Sequence, residues 1–172
     1  MADIGWRTAQ PEDAIALSIL GGATFLASFA HDHPGPALLA HIRDAHGEAY
    51  YRAALADPNR QIWIGETALG APVGYAMLGQ PDLPPPADEG DLEIKRIYLL
   101  GPWQGGGHGD RLMELLTNEA RRRQARRLLL AVYPGNDRAR RFYARHGFQQ
   151  IGETIFMVGD APFRDLIYAR RL

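Results

Sequence analysis

Six residues, Gln104-Gly105-Gly106-Gly107-His108-Gly109, follow a strand-like run and open an amphipathic helix. A strand that feeds a glycine loop into a helix aims several backbone N–H groups, and the positive end of the helix dipole, at one point in space. An anion fits there. Glycines at 105, 106, 107 and 109 let phosphate oxygens approach the main chain with no Cβ in the way and permit unusual φ/ψ values. A nucleotide-binding P-loop would close on Gly-Lys-Ser or Gly-Lys-Thr, and a dinucleotide fingerprint would place G-x-G-x-x-G near the chain start; neither pattern is present. Taken alone, the loop leaves phosphate, a nucleotide or a coenzyme as its ligand.

Composition makes this anion site a local feature. The 172 residues are 46% hydrophobic, enough to bury a full core and too few for two ordinary domains, so a single domain over 1–172 is expected. A formal net charge of -1 gives no global attraction to nucleic acid or an anionic membrane. With no cysteine there is no disulfide framework, thiolate metal site or cysteine nucleophile, and a reducing compartment is expected. The histidines, His31 and His33 among them, lack partners at zinc-ligand spacing, so no metal is assigned. Arg121-Arg122-Arg123 with Arg126-Arg127 falls at a helix C-terminus, where cations complement the dipole, and reads as a solvated helix end rather than a nucleic-acid surface. The uncharged stretch Ala14 to Ala30 is preceded by Asp3, Glu12 and Asp13 where a signal peptide needs Lys or Arg. Ser18, Gly21-Gly22, Thr24 and Ser28 dilute it further, so it is expected to be a largely buried helix of a cytoplasmic protein.

The elements that must position the loop are legible around it. Ile4 to Ala9 reads as a strand, Gln10 to Asp13 as a helix start with acids in its first turn, and Ala37 to Ala56 as one or two helical pieces. Gln61 to Glu66 and Pro72 to Leu78 flank a Gly70-Ala71-Pro72 turn and predict a β-hairpin. After a proline- and acid-rich loop, Pro81 to Gly90, comes the strand Asp91 to Leu100 that delivers the chain to the glycines. Leu112, Leu115, Leu116 and Ala120 give the following helix one inward face. Arg127 to Val132 has the continuous apolar character of a buried parallel strand, and Pro134 to Asp137 turns into a helix carrying Ala139, Phe142, Tyr143 and His146 on one side. Gly147 stops it, and Phe148 to Val158 and Phe163 to Ala169 close the chain as strands.

Gln104, Gly107 and Gly109 fit a Gln/Arg-x-x-Gly-x-Gly/Ala pattern. Together with Arg96-Ile97-Tyr98-Leu99 before the loop and Asn136, Ala139, Phe142-Tyr143 and Gly147-Phe148 after it, they resemble the GNAT superfamily of N-acetyltransferases. Thr24-Phe25, Phe29-Ala30-His31, Phe156 to Asp160 and Asp165-Leu166-Ile167 resemble its bacterial spermidine/spermine branch. The resemblance implies an α/β (α+β) fold: a mixed central sheet of about six to seven strands, helices on both faces, and a V-shaped splay between strands four and five. It implies acetyl-CoA as co-substrate without a metal. The implied acceptor is a small-molecule amine, a polyamine among them, with no nucleic acid or membrane partner and a monomer or homodimer as the assembly. Asp82, Asp88, Glu89, Asp91 and Glu93 would suit a polycation around a substrate channel. A protein or peptide acceptor, and a silent coenzyme A binding module, are the alternatives.

The same resemblance distributes roles. The loop, Gln104 through Gly109 with Asp110, would hold the pyrophosphate, and backbone groups of Ile97, Tyr98 and Leu99 the pantetheine arm. A strand amide there would stabilise the oxyanion as an amine attacks the thioester directly. Tyr143 would protonate the departing thiolate, or else pack as a core aromatic beside Phe142. Asn136 would bind the coenzyme arm, cap its helix, or do both. Glu93 would take the amine proton, through water or directly, or else stand ion-paired with Lys95 or Arg96. Arg138 and Arg145 are expected to be solvated, and the His108 side chain to point outward.

Overall fold

A computed structural model describes residues 3–172, so the first two positions of the expected domain lie outside the described residues. The elements run β1 Gly5–Thr8, α1 Ala14–Phe29, α2 Gly35–Ala45, α3 Glu48–Ala56, β2 Gln61–Glu66, β3 Pro72–Gly79, β4 Asp91–Leu99, α4 His108–Arg122, β5 Arg127–Val132, α5 Asp137–Arg145, β6 Gln149–Val158 and β7 Ala161–Arg171. The strands form one seven-stranded sheet in the order β1-β2-β3-β4-β5-β7-β6. Every pairing is antiparallel except β4 with β5. Helices cover both faces, as the fold expectation required. α4 and α5 pack over Ala76, Leu78, Leu130 and Val132 on one face, while α1 and α3 pack over Ile62, Ile64, Tyr75 and Met77 on the other. α2 completes that second layer, closing Leu38 against Phe25 of α1 and Phe156 and Phe163 of the β6–β7 hairpin.

The opening in the sheet has a local cause. β4 and β5 pair only at Asp91, Leu92 and Glu93, opposite Arg127, Leu128 and Leu129. One residue further along, the β3–β4 register slips: Leu78 faces Ile94 and Met77 faces Arg96, leaving Lys95 as an extra residue in β4. A bulge of this kind bends the strand that carries it. From Ile94 onward β4 departs from β5, which stays paired with β7 along its whole length. Two polar anchors hold the vertex. The fully buried Asp91 carboxylate accepts two bonds from the Arg127 guanidinium, at 2.9 and 2.6 Å, and Lys95 Nζ donates to Glu93 Oε2 at 2.6 Å and Asp82 Oδ2 at 2.7 Å. These pairs are 36, two and 13 residues apart.

Two expectations need correction. The arginine run is ion-paired as well as solvated: Arg122 and Arg123 reach Glu119, Arg126 reaches Asp88, and Arg127 reaches Asp91, while Arg122 and Arg126 stay exposed. The glutamate lies on the same helix three and four residues back, where side chains meet. α1 is one-sided rather than largely buried. Leu17, Leu20, Gly21, Thr24 and Phe25 face the core, but Ile15, Ile19 and Leu26 are 53, 66 and 42% exposed. By length and composition Pro11–Phe29 would suffice to cross a membrane, with a mean hydropathy of 1.3. A helix lying on a sheet face can bury only the stripe that faces it, whatever the residues on its other side. On the buried stripe Gly21 is required by contact, because a Cβ there would collide with the Tyr51 hydroxyl and stand 2.6 Å from His46 Nδ1.

Candidate active site

The splay opens into a cavity of about 1030 Å³ that runs from the glycine loop, between β4 and β5, to the underside of α1 and the β6–β7 hairpin. Its loop end is a backbone device. Gly105 and Gly107 have φ of 91° and 81°, the left-handed region that a side chain rarely adopts, and a Cβ at either would meet nothing within 4 Å. Gly107 is the N-cap of α4, and no side chain caps that terminus. The first N–H groups of the helix therefore lack intrahelical acceptors and face open space. Gln104 serves the loop from outside: its Nε2 donates to the Leu99 carbonyl at 2.8 Å and ties the loop to the end of β4.

The remaining loop residues divide. Asp110 accepts from Arg145 at 3.1 Å and pairs with His146 Nε2 at 2.7 Å, joining α4 to α5; these partners hold its carboxyl below the usual carboxylate range, with His146 contributing most. Its negative charge near an anion site is thereby balanced. Gly106 and His108 do not line the cavity. His108 does not point outward as expected: its Nε2 is buried with no hydrogen-bond partner among the described residues. Arg145 is ion-paired rather than simply solvated, whereas Arg138 and Arg141 stand exposed at the cavity wall. The sequence could have signalled those two by their spacing on the first turns of α5, beside the loop.

Between the ends, β4 offers a bare edge. Ile97, Tyr98 and Leu99 pair with Ala76, Tyr75 and Gly74 of β3 on one side and with no strand on the other. An extended chain laid along that edge would find the hydrogen-bonding groups of an unpaired strand. Asn136 caps α5, its Oδ1 accepting from the Ala139 N–H at 3.1 Å, and it also lines the cavity.

Tyr143 lies on the buried side of α5, its ring 5.5 Å from Phe142 and 5.9 Å from Phe148, and it lines the cavity as well. Burial, with Tyr98 nearby, pushes its hydroxyl above the ordinary tyrosine range, so it keeps its proton at neutral pH. Tyr98 is raised too, by burial and by the field of Asp165. Tyr143, Tyr98 and Asp165 thus converge on the splay from α5, β4 and β7. Glu93 also lines the cavity, but its carboxylate is held by Lys95 and by the Asp82 N–H at 2.8 Å.

Asp165 is the residue that motif reading passed over as a possible proton acceptor. It is buried, has no ion-pair partner among the described residues, and burial alone pushes its carboxyl up to about 6. Its sequence neighbourhood, Phe163-Arg164-Asp165-Leu166, sets two polar residues side by side, and nothing local says which of them turns inward. Around it the cavity is aromatic: His33 stacks on Phe163 at 3.9 Å, and Phe25, Phe29, Tyr133 and Phe156 complete the walls. Among the described residues, no group of three or more His, Asp or Glu side chains could hold a metal ion.

A splayed mixed sheet with an uncapped helix N-terminus at one end and a buried tyrosine midway is the arrangement that the resemblance to N-acetyltransferases implied. Comparison with known proteins bears on the same region. Residues 26–148 match the model of the acetyltransferase (GNAT) family. An uncharacterized N-acetyltransferase of Mycobacterium tuberculosis is 34% identical over 138 residues, covering 80% of this chain and 84% of that protein. The spermine/spermidine N(1)-acetyltransferase of Bacillus subtilis is 32% identical over 86 residues, 49% of this chain and 57% of that one. Among solved structures, the PaiA N-acetyltransferase of Thermoplasma acidophilum in complex with coenzyme A superposes with a TM-score of 0.78 at 15% identity, covering 99% of both chains. A GCN5-related N-acetyltransferase of Rhodopseudomonas palustris gives 0.78 at 23% identity, covering 100% of this chain and 98% of that one. The chain belongs to the GNAT family of acetyltransferases. It is an N-acetyltransferase whose acyl donor is acetyl-CoA.

Proposed function

We propose that this enzyme moves the acetyl group of acetyl-CoA directly to a primary amine of a small molecule, with no acyl-enzyme. The observation that carries the reading is the aromatic-walled pocket beyond the splay, with the unpaired carboxylate of Asp165 in its wall. A polyamine is one such amine, a reading that the Bacillus subtilis relative supports over about half of this chain. Acetyl-CoA supplies an activated thioester carbonyl; the rest is positioning and proton traffic. The N–H groups at the start of α4, from Gly105 to Asp110, hold the pyrophosphate, Arg138 and Arg141 add charge at the mouth, and the bare edge at Ile97 to Leu99 holds the pantetheine. A β4 amide receives the charge that develops on the carbonyl oxygen, and Tyr143 donates to the leaving sulfur. Asn136 orients the arm while capping α5.

Two carboxylates are available to take the amine proton. Asp165 is free of partners, whereas Glu93 serves through water because Lys95 and Asp82 occupy it. The pH dependence separates them. An Asp165 carboxyl near 6 is protonated below that pH, so kcat/KM is expected to fall as pH drops through about 6, and Asp165→Asn to remove that limb. Stability moves the opposite way. A carboxyl raised on folding contributes stability at low pH that is lost as pH rises toward its folded value, so Asp165→Asn is expected to raise the melting temperature above pH 6. An unaltered limb in Asp165→Asn, with its loss in Glu93→Gln, would move the assignment to Glu93.

The direct test is free-thiol release from acetyl-CoA across polyamines, amino acids, aminoglycosides and peptides. Small amines are expected to release thiol and peptides to give only background. Acetyl-CoA at about a hundred times its Kd is expected to stabilise the fold by about 2.7 kcal/mol, a rise of several degrees in melting temperature. No rise would sink the coenzyme assignment, and turnover confined to peptides would sink the small-amine reading.

A further inference from the structure

Charge in the acceptor half of the cavity is of both signs. The acids expected to line a substrate channel are largely engaged: Asp82 and Glu93 share Lys95, Asp88 pairs with Arg126 and Arg127, and Asp91 with Arg127 beneath the sheet vertex. Glu89 alone among them has no ion pair with a described residue, and it does not line the cavity. A cation stands in their place. Arg96, the residue after the β4 bulge, lines the cavity on the α1–α3 face, and no carboxylate of a described residue lies within 4 Å of it.

The surroundings of Arg96 are all neutral. Tyr50, Tyr51, Tyr75 and Tyr98 ring the guanidinium, whose carbon lies 5.8 Å from the centre of the Tyr50 ring. The two nearest imidazoles are uncharged at neutral pH: burial, reinforced by Arg96, lowers His41 to about 4 and His46 to about 2. Of the five N–H bonds on this side chain, the structure pairs Nη1 with the Lys95 carbonyl at 2.7 Å and leaves the buried Nε without a partner. Arginine does not shed its charge to relieve such a position. A half-buried cation with a buried Nε, spare donors and no carboxylate within 4 Å is costly unless a ligand supplies the missing anion.

We infer that the acceptor carries a carboxylate as well as the amine, and that Arg96 binds that carboxylate inside the pocket. The inference rests on the small-amine reading above and narrows it. The planar guanidinium fork matches the two oxygens of a carboxylate, and Asp165, on the same sheet face but not ion-paired with Arg96, provides the complementary site for the ammonium end. Phe25, Phe29, Phe156 and Phe163 offer the space between to an apolar body. A polyamine would instead bring a second ammonium toward an uncompensated guanidinium.

The test compares amines that differ by one carboxylate: L-phenylalanine with phenethylamine, L-leucine with isoamylamine, and L-ornithine with putrescine, with spermidine alongside. In each pair the carboxylate-bearing amine is expected to show a kcat/KM roughly tenfold or more above its partner. Arg96→Gln is expected to erase that ratio and Arg96→Lys to keep part of it, both proteins still melting higher with acetyl-CoA. On the wild-type enzyme, 3-phenylpropionate is expected to inhibit competitively against the amine, a reading independent of whether the variants fold. Equal or better use of the decarboxylated amines or spermidine, a ratio that survives Arg96→Gln, or no competition by the free carboxylate overturns the inference and leaves the small-amine reading standing. If no amine releases thiol from a protein that acetyl-CoA stabilises, the small-amine reading itself falls, and this one with it.

Discussion

Replacing Tyr143 with phenylalanine is expected to lower kcat by roughly a hundredfold, within the range measured for removal of a positioned acid, while acetyl-CoA still raises the melting temperature. The substitution is clean because it deletes one atom. The ring remains among Phe142 and Phe148, so the packing that places Tyr143 in the α4–α5 layer is kept. The hydroxyl makes no hydrogen bond with a described residue, so its loss strands no partner. Burial and Tyr98 keep the proton on that oxygen, which makes it a donor over the whole range in which the enzyme would be assayed. The sequence left two roles for this residue, core aromatic or general acid; the ring packs with Phe142 and Phe148, and the proposed acid role falls to the oxygen. A Tyr143→Phe enzyme with wild-type kcat would reduce the residue to its packing role.

The second large effect falls on the loop. Gly107→Val is expected to weaken acetyl-CoA binding by roughly a hundredfold, about 2.7 kcal/mol, and to abolish the thermal response at moderate coenzyme concentration. Two costs combine here. A β-branched residue at φ 81° is strained by about 1–2 kcal/mol, and its side chain enters the open space in front of the α4 N–H groups, where a phosphate must sit. The two are separable with Gly70→Val. Gly70, in the β2–β3 turn, has φ 80° and equally open surroundings but does not line the cavity. That variant is expected to lose comparable stability and to keep the full response to acetyl-CoA. If both variants still respond fully, the phosphates bind elsewhere.

Much of this architecture was legible before any coordinates. Continuous apolar runs such as Leu128 to Val132, glycine turns and the stop at Gly147 belong to local chemistry, and the elements they predict are the ones observed. The two-sided burial of β3 follows from the same logic, since Val73 to Gly79 is apolar on both alternating faces. Asn136 was legible as a cap because capping is a contact over three residues. The splay was expected from resemblance, but its cause, the extra residue at Lys95, depends on register with β3 and has no signature in β4 alone. α1 misled for a related reason: the apolar residues of Ala14–Phe29 do not say which of them will find a neighbour.

The coenzyme end proposed for this enzyme was legible in the amino-acid sequence by itself, because it is built from backbone groups of consecutive residues, Gln104 to Asp110, whose geometry follows from glycine and a helix start. Only the tertiary structure decided the acceptor end. Whether an acid attracts a cation depends on what stands across from it, and here Asp91 and Asp88 are cancelled by arginines 36 and 38 residues away while Arg96 and Asp165 are left uncompensated. Charge in a pocket is a sum over residues brought together from the whole chain. A run of acids from Asp82 to Glu93 therefore suggested a polycation site, and in the folded chain Asp82 and Glu93 share one lysine while an arginine without a carboxylate partner stands in the same cavity.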